Sequence, residues 1–160
     1  MRCFRVILAV AAVSVLLLPQ SCYRGPTAFD ATLYPGTWSG SWSDTTSQGT
    51  ITVLVSLNSA TSILTFSVDV DGSTLVDSVS IDGTYGETEL TVSASTSELG
   101  YVEATLAGGG SLSGSAYPPG ADSVSFSGSW SDTLLILSYE VSLFPEVYTG
   151  TISLTKQPWQ

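Results

Sequence analysis

Histidine is absent from this chain, and basic residues are scarce. The 160 residues include four Lys and Arg against fourteen Asp and Glu, which gives a formal net charge of −10 at pH 7. Without histidine the chain lacks the usual general base and the commonest metal ligand, so Ser-His-Asp catalysis is excluded. A surface this acidic repels phosphate backbones. We therefore expect a protein that is not an enzyme, with no catalytic residue, metal site, cofactor or nucleic-acid partner.

Cysteine is also scarce, since it occurs only at Cys3 and Cys22. Cys3 lies in a stretch that reads as a secretory signal peptide over residues 1–21, and Cys22 follows that stretch directly. Two arginines precede an apolar run at residues 6–18, and a short polar exit follows. As a helix this run would span about 20 Å, which is short of the hydrocarbon core of about 30 Å. The processed chain keeps two basic residues against fourteen acidic ones, so its net charge is −12.

The end of this stretch, LLLPQSC at residues 16–22, resembles the lipobox of bacterial lipoproteins. In that family a small residue, here Ser21, precedes a cysteine that is acylated with diacylglycerol and palmitate and becomes the mature N-terminus. The family's leucine is replaced by Pro19, and the nearest leucine is Leu18. The resemblance implies lipidation at Cys22 and a bacterial cell-envelope location, at the outer membrane or the cell surface, with the membrane as partner through the lipid.

The cysteine count favours the same interpretation. After the signal is removed, Cys22 is the only thiol in an oxidising compartment, where unpaired cysteines are unusual, and lipidation explains its presence. The alternative is ordinary signal cleavage nearby, which would leave a free thiol or none. Residues 22–35 show no sustained period and contain Gly and Pro, so we predict a flexible tether there and a folded domain over residues 36–160.

Within the predicted domain, apolar residues alternate with Ser, Thr and acids in short runs. In one such run Ile51, Val53 and Val55 share a face, and turn pairs such as Asp-Gly separate the runs. This pattern predicts an all-β fold, an antiparallel meander of about eight to ten strands that closes into a small barrel. A β-sandwich is the alternative, because it also hides the sheet edges.

One octapeptide occurs twice, as WSGSWSDT at residues 38–45 and as FSGSWSDT at residues 126–133. In each copy two aromatic residues flank a glycine on one strand face. The missing side chain leaves space for a neighbouring ring or a sharp bend. We interpret the repeat as equivalent packing at two strands rather than as a duplicated binding site.

The triplet Gly-Thr-Trp at residues 36–38 resembles the Gly-x-Trp signature of the calycin barrels, which include lipocalins and avidins. Their last strand often places a basic residue on that tryptophan. Lys156 lies at the end of the last predicted strand, so the resemblance implies a barrel-closing pair of Trp38 and Lys156. It also implies an up-and-down barrel with room for an apolar ligand.

Three functions remain open from the sequence. The first is a non-enzymatic, membrane-anchored envelope lipoprotein that acts as a binding or structural module, with an envelope protein as partner. The second is a lipocalin-like carrier of a small apolar ligand. The third is a carbohydrate-active enzyme that uses carboxylates alone, which would require two facing carboxylates in a cleft. A lumen filled by aromatic side chains would favour the first, and an apolar cavity the second.

Overall fold

The computed structural model describes residues 27–73 and 77–158, so Cys22 and the predicted signal peptide lie outside the described residues. A short 3-10 helix, Ala31–Leu33, precedes the first strand. The strands are β1 Gly36–Asp44, β2 Gln48–Asn58, β3 Ile63–Val70, β4 Ser78–Tyr85, β5 Glu89–Thr96, β6 Gly100–Ala107, β7 Ser111–Ala116, β8 Ser123–Trp130, β9 Leu134–Leu143 and β10 Glu146–Lys156. No helix among the described residues is long and apolar enough to cross a bilayer.

The ten strands form one closed sheet in up-and-down order. Each strand pairs antiparallel with the next one along the chain, and β1 pairs with β10 to close the barrel. This seam runs from the pair Trp38 and Lys156 to the pair Asp44 and Gly150. The predicted all-β antiparallel meander is confirmed, and the architecture is the barrel rather than the sandwich.

The two ends of the barrel differ, and each is named here by what lies on it. At the plugged end β1 begins at Gly36 and β10 ends at Lys156. Residues 27–35, hereafter the plug, lie across this end. At the rim end β1 stops at Asp44 and β10 starts at Glu146. Four hairpin connections and the β1–β2 turn surround this opening.

Side chains alternate between the lumen and the outer wall. In β2, Ile51, Val53 and Val55 are buried, and the residues between them are exposed. In β8 the exposed residues include Ser125 and Ser127. Serine and threonine side chains cover most of the wall in the same way. An apolar lumen inside a hydroxyl-covered wall is the inverse of the lipid-facing apolar band of transmembrane barrels.

The repeated octapeptide places one glycine at the same kind of strand contact in each copy. A Cβ on Gly40 would lie 1.9 Å from the carbonyl oxygen of Ser153 on the neighbouring strand. A Cβ on Gly128 would lie 2.0 Å from the carbonyl oxygen of Ile136. Only glycine allows backbones to approach this closely. The repeat thus marks equivalent packing in β1 and β8.

The plug departs from the flexible tether predicted for residues 22–35. Phe29, Ala31 and Tyr34 are buried against the barrel end. The amide of Phe29 donates to the carbonyl oxygen of Glu87 at 2.8 Å. These apolar residues follow the shape of the barrel end and not a regular period, so pattern analysis does not detect them. The described part of the predicted tether therefore belongs to the folded domain.

Candidate functional site

The plug is fixed by ring stacking and by close backbone contact. The rings of Phe29 and Tyr34 stack with centroids 5.3 Å apart and an angle of 11° between planes. Tyr34 also meets the edge of Trp130 at 5.3 Å. A Cβ on Gly108 would lie 2.1 Å from the carbonyl oxygen of Thr27, so the β6–β7 turn passes directly beside the chain as it enters the plug. Burial raises the pKa of Tyr34, which reflects the low polarity of this contact.

Trp38 and Lys156, the pair implied by the calycin resemblance, come together at the plugged end. They are partners across the β1–β10 seam. The Nζ of Lys156 lies 5.5 Å from the centroid of the Trp38 ring, within the range of a cation–π contact. The same Nζ donates to the carbonyl oxygen of Leu33 at 2.6 Å, and Trp38 Nε1 donates to that of Tyr34 at 2.8 Å. Both members of the pair therefore bind the plug as well as each other.

Aromatic side chains fill the lumen next to the plug. Trp38 has no exposed surface and Trp130 is 7% exposed. Trp130 meets the edge of Trp38 at 5.2 Å and packs on Phe66 at 5.8 Å, measured between ring centroids. Farther from the plug, Trp42 Nε1 donates to the carbonyl oxygen of Asp71 at 2.9 Å. Trp130 Nε1, by contrast, is buried with no hydrogen-bond partner among the described residues.

At the rim end, apolar side chains are exposed to solvent in or next to three of the connections, the β9–β10 turn, the β7–β8 loop and the β5–β6 turn. Phe144, in the β9–β10 turn, is 92% exposed, and Val147 is 56% exposed. Tyr101 and Tyr117 are also exposed. These four residues are called the rim patch below. No apolar face marks them in the sequence, because Phe144 and Tyr117 lie in connections and Tyr101 and Val147 lie on the polar outer face of β6 and β10.

A groove of about 710 Å³ lies on the outer wall, across β1, β10, β9 and β8. Its exposed side chains are mainly hydroxyls, together with the Glu140 carboxylate. Asp44, at its edge, accepts hydrogen bonds from the amides of Thr46 and Ser47 at 2.6 Å each. These bonds, above all the one from Thr46, lower the pKa of Asp44. A glycosidase needs one carboxyl with a raised pKa to donate a proton, and Asp44 has the opposite shift.

The remaining predictions about sites fall as follows. In residues 27–73 and 77–158, no three carboxylate, thiol or imidazole side chains come together as metal ligands do. Cys22 lies outside the described residues, so its lipidation stays a prediction. The sequence singled out Tyr101 and Tyr117 as rings that could form a sugar-stacking platform if exposed, but it did not indicate the plug or the exposure of Phe144 and Val147. A cluster of apolar residues in a segment without period, at residues 27–35, is the one signal that would have suggested the plug.

No protein-family model matches the chain, and no curated protein gives a significant match. The candidate sites therefore depend on geometry alone. They are the plugged end, which adjoins Cys22 in sequence, and the rim patch at the opposite end of the barrel.

Proposed function

We propose that this protein is a bacterial envelope lipoprotein, anchored through a lipid on Cys22, whose barrel is a non-enzymatic binding or structural module. The observation that carries the proposal is the position of the plug. Residues 27–35 cross the plugged end, and the chain from Cys22 enters beside Gly108 at that end. An anchor at Cys22 would therefore hold the barrel by its plugged end.

The length of the intervening chain sets how the module would stand on a membrane. Four residues lie between Cys22 and Thr27, and the five Cα–Cα steps of a fully extended chain span about 17 Å. Because the chain lies against Gly108 of the barrel at Thr27, the plugged end would stay within that distance of the bilayer. The rim end would then face away from the membrane.

The filled lumen and the outer groove favour a binding or structural module over a lipocalin-like carrier and over a carbohydrate-active enzyme. Trp38, Trp130 and Phe66 occupy the lumen behind the plug, so a ligand would have to displace protein rings. A lipocalin barrel has eight strands, and this one has ten. In the outer groove the lowered pKa of Asp44 keeps that carboxyl ionised, so Asp44 cannot be the proton donor of a glycosidase.

Mass spectrometry of the mature protein from its native host tests the anchor. We expect a diacylated Cys22 at the N-terminus, and we expect Cys22→Ser to leave the membrane fraction. Tyr23→Ala serves as the control, since it keeps the Cys22 thiol and should remain in the membrane fraction. An unmodified mature chain in the soluble fraction would refute the proposal.

The orientation is testable with two single-cysteine labels in the lipidated protein. Asp132→Cys places a fluorophore in the β8–β9 turn at the plugged end, and Ser97→Cys places one in the β5–β6 turn at the rim end. Both positions are exposed. In vesicles that carry a headgroup quencher, the label at position 132 should be quenched and the label at position 97 should not. Equal quenching would contradict the proposed orientation.

A further inference from the structure

The rim patch contains the most exposed aromatic side chain described in the barrel. Phe144 is 92% exposed at the tip of the β9–β10 hairpin, beside Val147. Aromatic residues are the commonest energetic anchors of protein interfaces, and large side chains of this kind are normally covered. Single apolar residues on a surface need no explanation, but the rim end exposes four large ones, at or next to three of its connections.

The loops that carry the patch are held in place by hydrogen bonds. The amide of Phe144 donates to Asp122 Oδ2 at 2.8 Å, and the amide of Asp122 donates to the carbonyl oxygen of Ser142 at 2.8 Å. The β7–β8 loop is also joined to the start of β6, because the amide of Tyr117 donates to the carbonyl oxygen of Tyr101 at 3.0 Å. The patch is therefore largely preorganised, which lowers the entropic cost of binding a partner.

The charge around the patch determines which partner fits it. The one basic side chain among the described residues, Lys156, lies at the plugged end. The charged residues in the described loops and strand ends of the rim end are all acidic. They are Asp44, Asp71, Asp77, Glu98, Asp122 and Glu146. Like charge opposes contact with anionic lipid or with a second copy of this acidic chain, whereas a basic surface is attracted.

We propose that the rim patch binds a basic segment of a partner protein, which places a large apolar side chain against Phe144 and Lys or Arg side chains against the surrounding carboxylates. This inference goes beyond the proposed function and does not depend on lipidation of Cys22. It assigns the barrel a binding face at the end remote from the plug.

A selection from a library of random displayed peptides tests this proposal. The bait is the processed chain carrying Cys22→Ser, which retains the closed barrel and its core. We expect the enriched peptides to carry net positive charge and at least one large apolar residue. In solution they should bind the double variant Phe144→Ser/Val147→Ser about 30-fold more weakly, the size of one interface hot spot.

Two matched variants distinguish binding at the rim patch from nonspecific adsorption of peptides to apolar surface. Leu54→Ser removes an apolar side chain whose exposure, 51%, is close to the 56% of Val147, from the outer wall of β2, and it should leave binding unchanged. Phe144→Trp keeps a large ring and should retain binding. Raising the salt concentration should weaken binding, because the carboxylates contribute.

Several results would overturn the proposal. These are enrichment of acidic or uncharged peptides, no enrichment over a blank support, or equal binding by the Phe144→Ser/Val147→Ser variant. Binding of phosphatidylglycerol vesicles through Phe144 would assign the patch to lipid instead. Self-association that Phe144→Ser abolishes would assign it to a second copy of this chain.

Discussion

Gly40 and Gly128 show how a single residue type sets the spacing between strands of this barrel. Each occupies a position where a Cβ would lie within about 2 Å of a carbonyl oxygen on the adjacent strand. We expect Gly128→Ala to lower the free energy of unfolding by about 1–3 kcal/mol, because the strands must separate. Gly109→Ala is the control, since a Cβ there meets nothing within 4 Å. Denaturant titration measures both, and equal stabilities would show that the close approach is unimportant.

The buried tryptophans provide a second comparison between single residues. Trp38 and Trp130 are both buried in the lumen, but of these two indole N–H groups only that of Trp38 has a hydrogen-bond partner among the described residues. Substitution by Phe removes a similar volume from each site. Trp38→Phe additionally leaves the carbonyl oxygen of Tyr34 without its donor, so it should cost about 1–2 kcal/mol more than Trp130→Phe.

Chemical unfolding of both variants measures this difference directly. The prediction concerns the gap between two matched substitutions, so the shared loss of packing cancels. Trp130→Phe would even remove a buried donor that has no partner among the described residues. If Trp130→Phe proved the more damaging of the two, packing and not hydrogen bonding would dominate at this end of the lumen.

At the scale of elements, the plug depends on one carboxylate that begins its 3-10 helix. Asp30 Oδ1 accepts hydrogen bonds from the amide of Thr32 at 3.0 Å and from its hydroxyl at 2.6 Å. These bonds, the hydroxyl bond first, lower the pKa of Asp30 below its ordinary value. A group whose pKa is lowered in the folded state stabilises it above the unfolded pKa, near 4, and loses that effect as the pH falls.

The plug should therefore loosen in acid before the barrel unfolds. Hydrogen exchange of the plug amides between pH 6 and pH 2, corrected for intrinsic rates, should show falling protection as Asp30 becomes protonated. Asp30→Asn should flatten this dependence, because an amide oxygen accepts the same bonds at every pH. Asp44→Asn, which alters the β1–β2 turn at the other end, should leave plug protection unchanged.

The same elements show where sequence patterns succeed and fail. The strands were predictable because one buried face forces a period of two, as in Ile51, Val53 and Val55. The approach of Lys156 to Trp38 was expected through family resemblance, not through periodicity. Phe29, Tyr34 and Phe144 lie in segments whose conformation is decided by neighbouring loops and strands, so no local pattern encodes their positions. The candidate sites were therefore less predictable than the fold.

On the scale of the whole molecule, closure of the barrel depends on β10. Without this strand, β1 and β9 would become open edges, and the partner that covers Trp38 would be lost. We expect a chain that lacks residues 146–160 to show no cooperative thermal unfolding by circular dichroism and to aggregate.

A circular permutant is the matched control for that truncation. It joins residue 158 to residue 27 by a flexible linker and opens the chain in the β5–β6 turn at Ser97. All ten strands keep their partners, and both joined ends lie at the plugged end. We expect the permutant to melt cooperatively and the truncated chain not to do so. Cooperative melting of the truncated chain would show that the seam is dispensable.

The seam also has a mechanical consequence. A pull applied through the N-terminal segment, with the rim held by a partner, would run largely along β1. The hydrogen bonds that join β1 to β2 and to β10 lie across the strand, so such a tension loads two ladders in shear at once. Many bonds would have to rupture together, instead of peeling apart singly from one end. The barrel would then transmit force between a bilayer and a partner bound at the rim end while it stays folded.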